Sequence, residues 1–212
     1  MYLRLIGIAI VILSVIIGWK FYVSYTAFDK LQMAPHHQYV GSENPSVIIT
    51  EIMDYRCAYC RQMHDVMTAF VALHPEVRVI YRVYPIYNEP SMVEAKLAMA
   101  AGNQGKFVEM HNKLIRRDDP VTPEVEAALI AELGLNKEQF EKDKFSWSAT
   151  KDLLDATAAV NALNINATPT LIVDRKIYLP RAAITSVEEL EELLAAHLKP
   201  AMSTAPTQET IP

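Results

Sequence analysis

Residues 47–60 read VIITEIMDYRCAYC, and this segment is the most informative about the architecture of the chain. Its first seven residues are mostly apolar and β-branched, which is typical of a strand buried on both faces. After the two cysteines, residues 62–73 place their apolar side chains on one helical face. A second β-branched run, 77–84, follows between two prolines. Strand, helix and strand make a βαβ unit, so we predict a parallel pair of strands in an α/β fold.

Helical segments follow this unit before the chain returns to strands. Apolar residues recur with a helical period in Ser91–Ala101, Lys106–Arg116, Pro123–Leu133 and about Ser146–Leu163. The remaining elements are a hairpin, Thr170–Val173 with Lys176–Leu179, and a last helix, Ser186–Leu198. We therefore predict one α/β domain over residues 46–198 with a helical insertion over about 90–163.

The first 25 residues indicate a membrane anchor. Leu5–Trp19 carries no charge, lies between Arg4 and Lys20, and has aromatic residues at its margins. The run is short for a hydrocarbon core of ~30 Å, but Leu3–Val23 is long enough when the flanking cations reach the interface. A signal peptide has a similar length, yet no good cleavage site follows, so we favour an uncleaved anchor. The flanking charges nearly balance and do not fix the orientation.

Two segments are predicted to be loose. Residues 26–45 form a connector that contains Pro35 and the adjacent His36 and His37. Residues 199–212 contain three prolines without an apolar period and form a flexible tail.

Composition and charge narrow the range of functions that the chain can have. The chain has 212 residues, of which 51% are hydrophobic and 21% charged, as in a globular domain. Its formal net charge of −5 offers no basic surface for nucleic acid, so we exclude nucleic-acid partners. Both cysteines fall in one tetrapeptide, Cys57 to Cys60, and are therefore paired with each other or used in chemistry.

The position of this Cys pair predicts thiol chemistry. A helix N-terminus has unpaired N–H groups and positive potential, which stabilise a thiolate and lower its pKa. We predict that Cys57 is an exposed nucleophile. Cys60 returns to the same face one turn later, where it is more buried and resolves a mixed disulfide by attacking the sulfur of Cys57.

Two further positions are candidates for the same site. Thr168–Pro169 precedes a strand, a place where proline is often cis and backbone groups can meet an extended peptide. Glu51 is the only ionisable residue in the first strand, so burial would raise its pKa and suit it to proton transfer through Cys60. The alternative for Glu51 is a strand-end side chain that reaches solvent.

EIMDYRCAYC, some 110 residues upstream of ATPTLIVD, resembles the disulfide bond protein A (DsbA) family of thiol oxidoreductases. The resemblance covers roughly residues 41–198 and implies a thioredoxin-like fold with a helical insertion. It also implies that Cys57 forms the mixed disulfide, that a cis Pro169 faces the pair, and that Glu51 lies beneath it. Thr168, Ala58 and Tyr59 would contact substrate.

The resemblance further implies disulfide exchange on reduced or unfolded exported proteins of the bacterial cell envelope. The domain would face the periplasm from a single-pass anchor in the inner membrane, and no cofactor or metal is implied. A quinone-coupled membrane partner resembling disulfide bond protein B would reoxidise the pair. Tethering would raise the effective concentration for such a partner.

One difference from the motif of the family bears on the direction of disulfide exchange. The dipeptide Ala58–Tyr59 lacks the imidazole of strongly oxidising family members, so the expected potential lies between ~−120 and ~−200 mV. Arg56 and Arg61 flank the motif and either stabilise the thiolate or are solvated charges. The short connector leaves no room for a dimerisation domain, which favours an oxidase, with an isomerase or reductase as the alternative.

A copper site is the alternative from another class. Two thiolates with Met53, Met63, His64, Met67 and Met92 nearby in sequence would suit Cu(I). Met63 and Met67, four residues apart on an apolar helix face, are more simply explained as core. His64 either tunes the site or is a histidine on the helix face, and no ligand set for zinc is present.

Overall fold

The computed structural model describes residues 2–33, 35, 38–179 and 184–198. The strands are β1 (Tyr39–Gly41), β2 (Val47–Met53), β3 (Val77–Val83), β4 (Thr170–Val173) and β5 (Lys176–Tyr178). The helices are α1 (Tyr2–Gln32), α2 (Ala58–Leu73), α3 (Asn88–Gly102), α4 (Phe107–Ile115), α5 (Pro123–Glu132), α6 (Lys137–Lys144), α7 (Trp147–Ala162) and α8 (Val187–Leu194).

The strands form one sheet in the order β1-β3-β2-β4-β5. β2 and β3 are parallel along their whole length, as the βαβ unit predicts, and the other neighbours are antiparallel. The predicted fold class, an α/β sheet with an inserted helical block, is confirmed.

Two hydrophobic cores explain why β2 is apolar on both faces. The larger core lies between the sheet, α2, α8 and the helical block. The second core packs α1 and α7 against the opposite face and includes Ile52 and Ile172. Because each face of β2 is covered, nearly all of its residues are buried and the strand cannot alternate between apolar and polar positions.

The helical block contains α6, a helix that the sequence does not reveal. Its sequence, KEQFEKDK, has one buried residue, Phe140, and hence no apolar period. Asn136 accepts a hydrogen bond from the backbone N–H of Gln139 and caps the helix start. Capping and a single anchoring ring therefore define this short helix.

The predicted connector is only partly loose. α1 continues to Gln32, and the side chains of Ala27 and Leu31 are buried in the second core. β1 pairs with β3, although the sequence predicts no strand there. His36, His37 and the predicted tail over 199–212 lie outside the described residues.

Two backbone turns need unusual conformations. Asp174 and Arg175 have φ values of 47° and 62°, the left-handed pair that closes a two-residue hairpin between β4 and β5. Gly41 has a φ of 92°, and a Cβ atom there would lie 2.4 Å from the carbonyl oxygen of Val77. A side chain at position 41 would therefore break the approach of β1 to β3.

Candidate active site

Cys57 caps the N-terminus of α2, at the carboxyl end of β2, and both cysteines are reduced. The thiol of Cys57 donates a hydrogen bond to the carbonyl oxygen of Thr168 at 3.3 Å. Its pKa is lowered to about 6, first by the hydrogen bond from the Cys60 thiol and then by the side chain of Thr168 and the backbone N–H groups of Cys60 and Tyr59, against the effect of burial. A thiolate is thus stabilised at the helix start.

The prediction that Cys57 is exposed is wrong. Its relative exposure is 2%, and that of Cys60 is 1%. The Thr168–Pro169 loop lies against the sulfur on one side, and Tyr87, whose phenol interacts with the thiol, lies on another. These neighbours come from distant parts of the chain, so the sequence around the motif gives no sign of them.

Cys60 differs sharply from Cys57 in its acidity. Burial raises the pKa of Cys60, and the hydrogen bond with Cys57 and the nearby Glu51 carboxyl raise it further. One sulfur of the pair therefore ionises readily and the other holds its proton.

Glu51 lies beneath the pair and does not reach solvent. Its carboxyl is 2% exposed, and Oε2 has no hydrogen-bond partner among the described residues. Burial raises its pKa to about 8, with a smaller contribution from the charge of Cys57. Its neighbour across the parallel ladder is Tyr81, which brings no positive charge. The alternative of a solvent-reaching glutamate is therefore wrong.

The remaining predicted site residues surround the same two sulfurs. The Thr168–Pro169 peptide bond is cis, and the loop before it is held by the Thr170 hydroxyl, which donates to the carbonyl of Ala167 at 2.7 Å. Ala58 and Tyr59 are exposed on the first turn of α2. A peptide at the site would thus meet the cis-proline loop on one side and this turn on the other.

Arg56 and Arg61 follow neither of their predicted alternatives. Arg56 contacts Glu94 and the carbonyl of Asp118, and Arg61 contacts the carbonyl of Ile115 and the carboxylate of Asp118. Both guanidinium groups are thus engaged with the helical block. They hold the segment around Cys57, the Cys loop, against the helical block.

Asp54 is a residue of this site that sequence reasoning missed. Its buried carboxylate accepts hydrogen bonds from the backbone N–H groups of Arg56 and Ile86, both at 2.7 Å, and from the hydroxyl of Ser91 at 2.8 Å. It therefore joins the Cys loop to the start of α3. The signal available was a lone acid between a buried strand and the Cys motif.

A buried aromatic cluster lies under the site. His111 stacks on Tyr81 at 4.1 Å between ring centroids, accepts or donates a hydrogen bond with the Tyr55 hydroxyl at 3.3 Å, and lies 5.1 Å from the ring of His64. Burial is the main cause that lowers the pKa of His64 to about 4, and burial also lowers the pKa of His111 well below its usual range. Both histidines are therefore neutral members of the core.

The copper alternative depends on the methionines near the Cys pair. Met63 and Met67 are buried in the larger core, as the simpler explanation predicts. Over the described part of the chain, no three His, Cys, Asp or Glu side chains converge on a point where they could hold a metal ion.

Comparison with known proteins agrees with the fold. A family model described as thioredoxin matches residues 33–196. The crystal structure of a thioredoxin-like oxidoreductase from Silicibacter pomeroyi DSS-3 is 27% identical, has a TM-score of 0.70, and covers 79% of this chain and 95% of that one. The thiol-disulfide exchange protein α-DsbA2 from Wolbachia pipientis is 19% identical, has a TM-score of 0.71 over 84% of this chain and 96% of that chain, and shows the same fold.

Curated relatives match over a shorter region. A Na⁺/H⁺ antiporter, NhaA 3, from Salinispora tropica is 24% identical over 136 residues, which is 63% of this chain and 21% of the antiporter. The chain spans about a fifth of the length of the curated relatives it matches. The match is therefore one to part of a larger protein.

Proposed function

Because this chain belongs to the thioredoxin family, we propose that it is a membrane-anchored oxidoreductase that introduces disulfides into exported proteins through Cys57 and Cys60. The resemblance to DsbA-like proteins and the oxidoreductase class, both predicted from the sequence, are confirmed. We further propose a direction of exchange, a class of clients and a membrane partner.

The asymmetry of the Cys pair is the observation that carries this direction. With a pKa of about 6, reduced Cys57 is mostly thiolate at neutral pH. Stabilising the thiolate stabilises the reduced pair relative to its disulfide, which makes the disulfide easier to give away. The backbone and Cys60 supply this stabilisation, so the missing imidazole of the motif is offset.

The exchange runs in two displacements. A client thiolate attacks Sγ of Cys57 in the Cys57–Cys60 disulfide, forms a mixed disulfide and expels Cys60 as a thiolate. A second client thiolate then attacks the client sulfur of the mixed disulfide, which expels Cys57 as a thiolate and leaves a client disulfide. The client loses two electrons and the Cys pair gains them.

Glu51 supplies the proton that the first displacement needs. Because its pKa is about 8, the buried carboxyl is mostly protonated at neutral pH. Cys60 leaves as a thiolate in a setting that strongly favours its thiol form, so Glu51 delivers its proton to Cys60 and recovers one later. Glu51 is thus a proton carrier for the sulfur that the client does not touch.

In this proposal α1 anchors the chain in the inner membrane and the domain faces the periplasm. α1 is long and apolar enough to span a bilayer, and its exposed apolar side chains have no other cover among the described residues. A quinone-coupled membrane protein resembling disulfide bond protein B then reoxidises the pair, since the tether keeps both in one membrane.

A glutathione redox titration of the full chain in detergent tests the direction. The Cys pair is followed by mass after thiol alkylation. We expect a potential near ~−120 to ~−160 mV, which describes a donor of disulfides. A value near ~−200 mV or lower would instead assign isomerase or reductase work.

Trapping tests the roles of the two sulfurs. When the Cys57 thiolate attacks the disulfide of an oxidised client, Cys60→Ala should accumulate the mixed disulfide and release one client thiolate, because Cys60 is no longer present to attack Cys57, whereas Cys57→Ser should exchange nothing. The double variant is the matched control for adventitious thiol capture. Trapping on Cys60 in the Cys57→Ser variant would reverse the assigned order.

A further inference from the structure

α1 is joined to the domain without a hinge. The helix is continuous from Tyr2 to Gln32, and its last turns bury Ala27 and Leu31 against Val160 of α7 and Ile172 of β4. The apolar span therefore continues directly into a helical end that packs on the domain.

The tip of the β4–β5 hairpin holds α1 at the point where the helix enters the domain. Arg175 donates to the carbonyl oxygen of Tyr25 at 2.9 Å, pairs with Asp29, and lies over the Tyr25 ring at 3.9 Å. Tyr25 is two residues past Val23, the end of the apolar span, which is about 3 Å along a helix axis. The hairpin tip thus lies at the level where α1 leaves the hydrocarbon.

The exposed side chains at this tip suit a lipid surface. Lys176 is exposed and has no ion-pair partner among the described residues. Ile177 is 37% exposed and lies opposite Ile172, whose side chain faces the second core beside α1. Lys176 lies on the opposite face of the hairpin, paired with Val173 of the larger core, so the tip offers an apolar side chain on the side of α1 and a cation on the other side. This combination matches the phosphate and acyl boundary of a bilayer.

The Cys pair lies at the other end of the sheet. β4 is antiparallel to β2, so its hairpin end lies beside Ile49, whereas Cys57 follows the opposite end of β2. α1 runs in the same sense: its Met33 end accepts a hydrogen bond from Arg82, which is the ladder partner of Ile52. Met33 is eight residues past Tyr25, about 12 Å further along the helix axis, and it contacts the strand end that leads to the Cys pair.

We propose that the tip of the β4–β5 hairpin, 174–177, is a membrane-contact surface that meets lipid headgroups through Lys176 and Ile177 and turns Cys57 and Cys60 away from the bilayer. The inference rests on the membrane anchoring in the proposed function. It implies that a membrane partner reaches the Cys pair through a segment that projects from the bilayer, not through its membrane-embedded surface.

Depth-dependent fluorescence quenching of the full chain tests this orientation. All variants carry Cys57→Ser and Cys60→Ala, which remove the native thiols, plus one labelled cysteine: Ile177→Cys at the hairpin, Tyr59→Cys at the site, or Val15→Cys in the span. Vesicles of phosphatidylethanolamine and phosphatidylglycerol carry a nitroxide on the headgroup. We expect the label at 177 to lose its fluorescence and the label at 59 to keep it.

The outcomes separate this inference from the proposed function. Two results would overturn the membrane contact. In the first, the label at 59 is quenched and the label at 177 is not. In the second, neither label is quenched although a mid-bilayer nitroxide quenches the label at 15. No quenching at 15 by that nitroxide overturns the anchor itself, and disulfide exchange by the wild-type chain is measured separately. If Ile177→Cys misfolds, a label at Lys176→Cys reports on the same surface.

Charge reversal gives a second readout. Lys176→Glu should reduce quenching of the label at 177 in vesicles that contain phosphatidylglycerol, because it replaces attraction to lipid phosphate with repulsion. Lys137→Glu, on an exposed turn of the helical block, is the matched control and should leave quenching unchanged. Equal effects of the two reversals would overturn the role of Lys176.

Discussion

At the scale of single residues, the buried carboxyl of Glu51 links catalysis to stability. Its pKa is about 8 in the fold and near 4.5 in a solvated chain, so the fold favours the protonated form. That preference stabilises the domain fully below pH 4.5 and is lost as the pH rises toward 8. Proton transfer and a stability cost at neutral pH therefore come from the same buried group.

Glu51→Gln should stabilise the domain at pH 7 by up to about 3 kcal/mol, because the amide carries no ionisable proton. The gain should vanish near pH 4, as measured by thermal unfolding across this pH range. The same variant should slow disulfide exchange, since Cys60 loses its proton donor. Glu89→Gln, at an exposed position, is the control, and a gain that does not depend on pH would contradict the assignment.

Asp54→Ala should destabilise the domain by about 3 kcal/mol or more, because several buried donors lose their acceptor at once. Exchange should slow as well, since the Cys loop loses its attachment to α3. Urea unfolding measures the first effect and a client-thiol assay the second. Asp119→Ala, on an exposed loop, should leave both unchanged, and a similarly small effect of Asp54→Ala would reduce Asp54 to a surface acid.

The sequence predicts the residues of the site better than their surroundings. Cys57, Cys60 and Glu51 follow from local rules: a helix start, a one-turn spacing and a lone acid in an apolar strand. The burial of Cys57 depends on Thr168, 111 residues away, and Asp54 depends in part on Ile86 and Ser91, 32 and 37 residues away. Such contacts leave no trace in a local pattern.

At the scale of elements, α1 belongs both to the membrane and to the domain. Leu31→Ala should cost about 2 to 5 kcal/mol, because the Leu31 side chain is fully buried in the second core and its loss leaves a cavity. Leu13→Ala, on the exposed part of the same helix, should change stability by less than about 0.5 kcal/mol. Denaturant unfolding in detergent compares the two, and equal costs would show that α1 does not pack on the domain.

The sequence predicts the ends of a helix or strand best where its apolar pattern is strong. β2, the hairpin strands and α5 begin where the sequence predicts, because β-branched runs and caps mark them. The end of α1 was missed because Ala27 and Leu31 are the only deeply buried residues in its last turns. α6 was missed for the same reason, since a helix anchored by one side chain has no period to read.

At the scale of the whole molecule, two buried histidines make stability sensitive to acid. The pKa of His64 is about 4 in the fold against 6.5 in a solvated chain, so its contribution is present above pH 6.5 and is lost as the pH falls through 4. His64→Leu should therefore flatten the loss of melting temperature between pH 7 and pH 4. His111 titrates in the same direction, so part of the slope remains.

His74→Leu is the control for this acid sensitivity. His74 lies at the end of α2, outside the buried aromatic cluster, and pairs with Glu76 and Glu191, so His74→Leu removes a histidine without changing that cluster. An identical slope in wild type and His64→Leu would place the acid sensitivity elsewhere in the chain.

The contact between Arg175 and α1 also determines the order in which parts of the domain can fold during synthesis. The two sides of this contact are 150 residues apart, so the helix made first waits for a strand made near the end of the chain. The βαβ unit, whose contacts are local, can assemble on a partly made chain, whereas the second core cannot. Until translation reaches the hairpin, the last turns of α1 expose the apolar surface that the second core later covers.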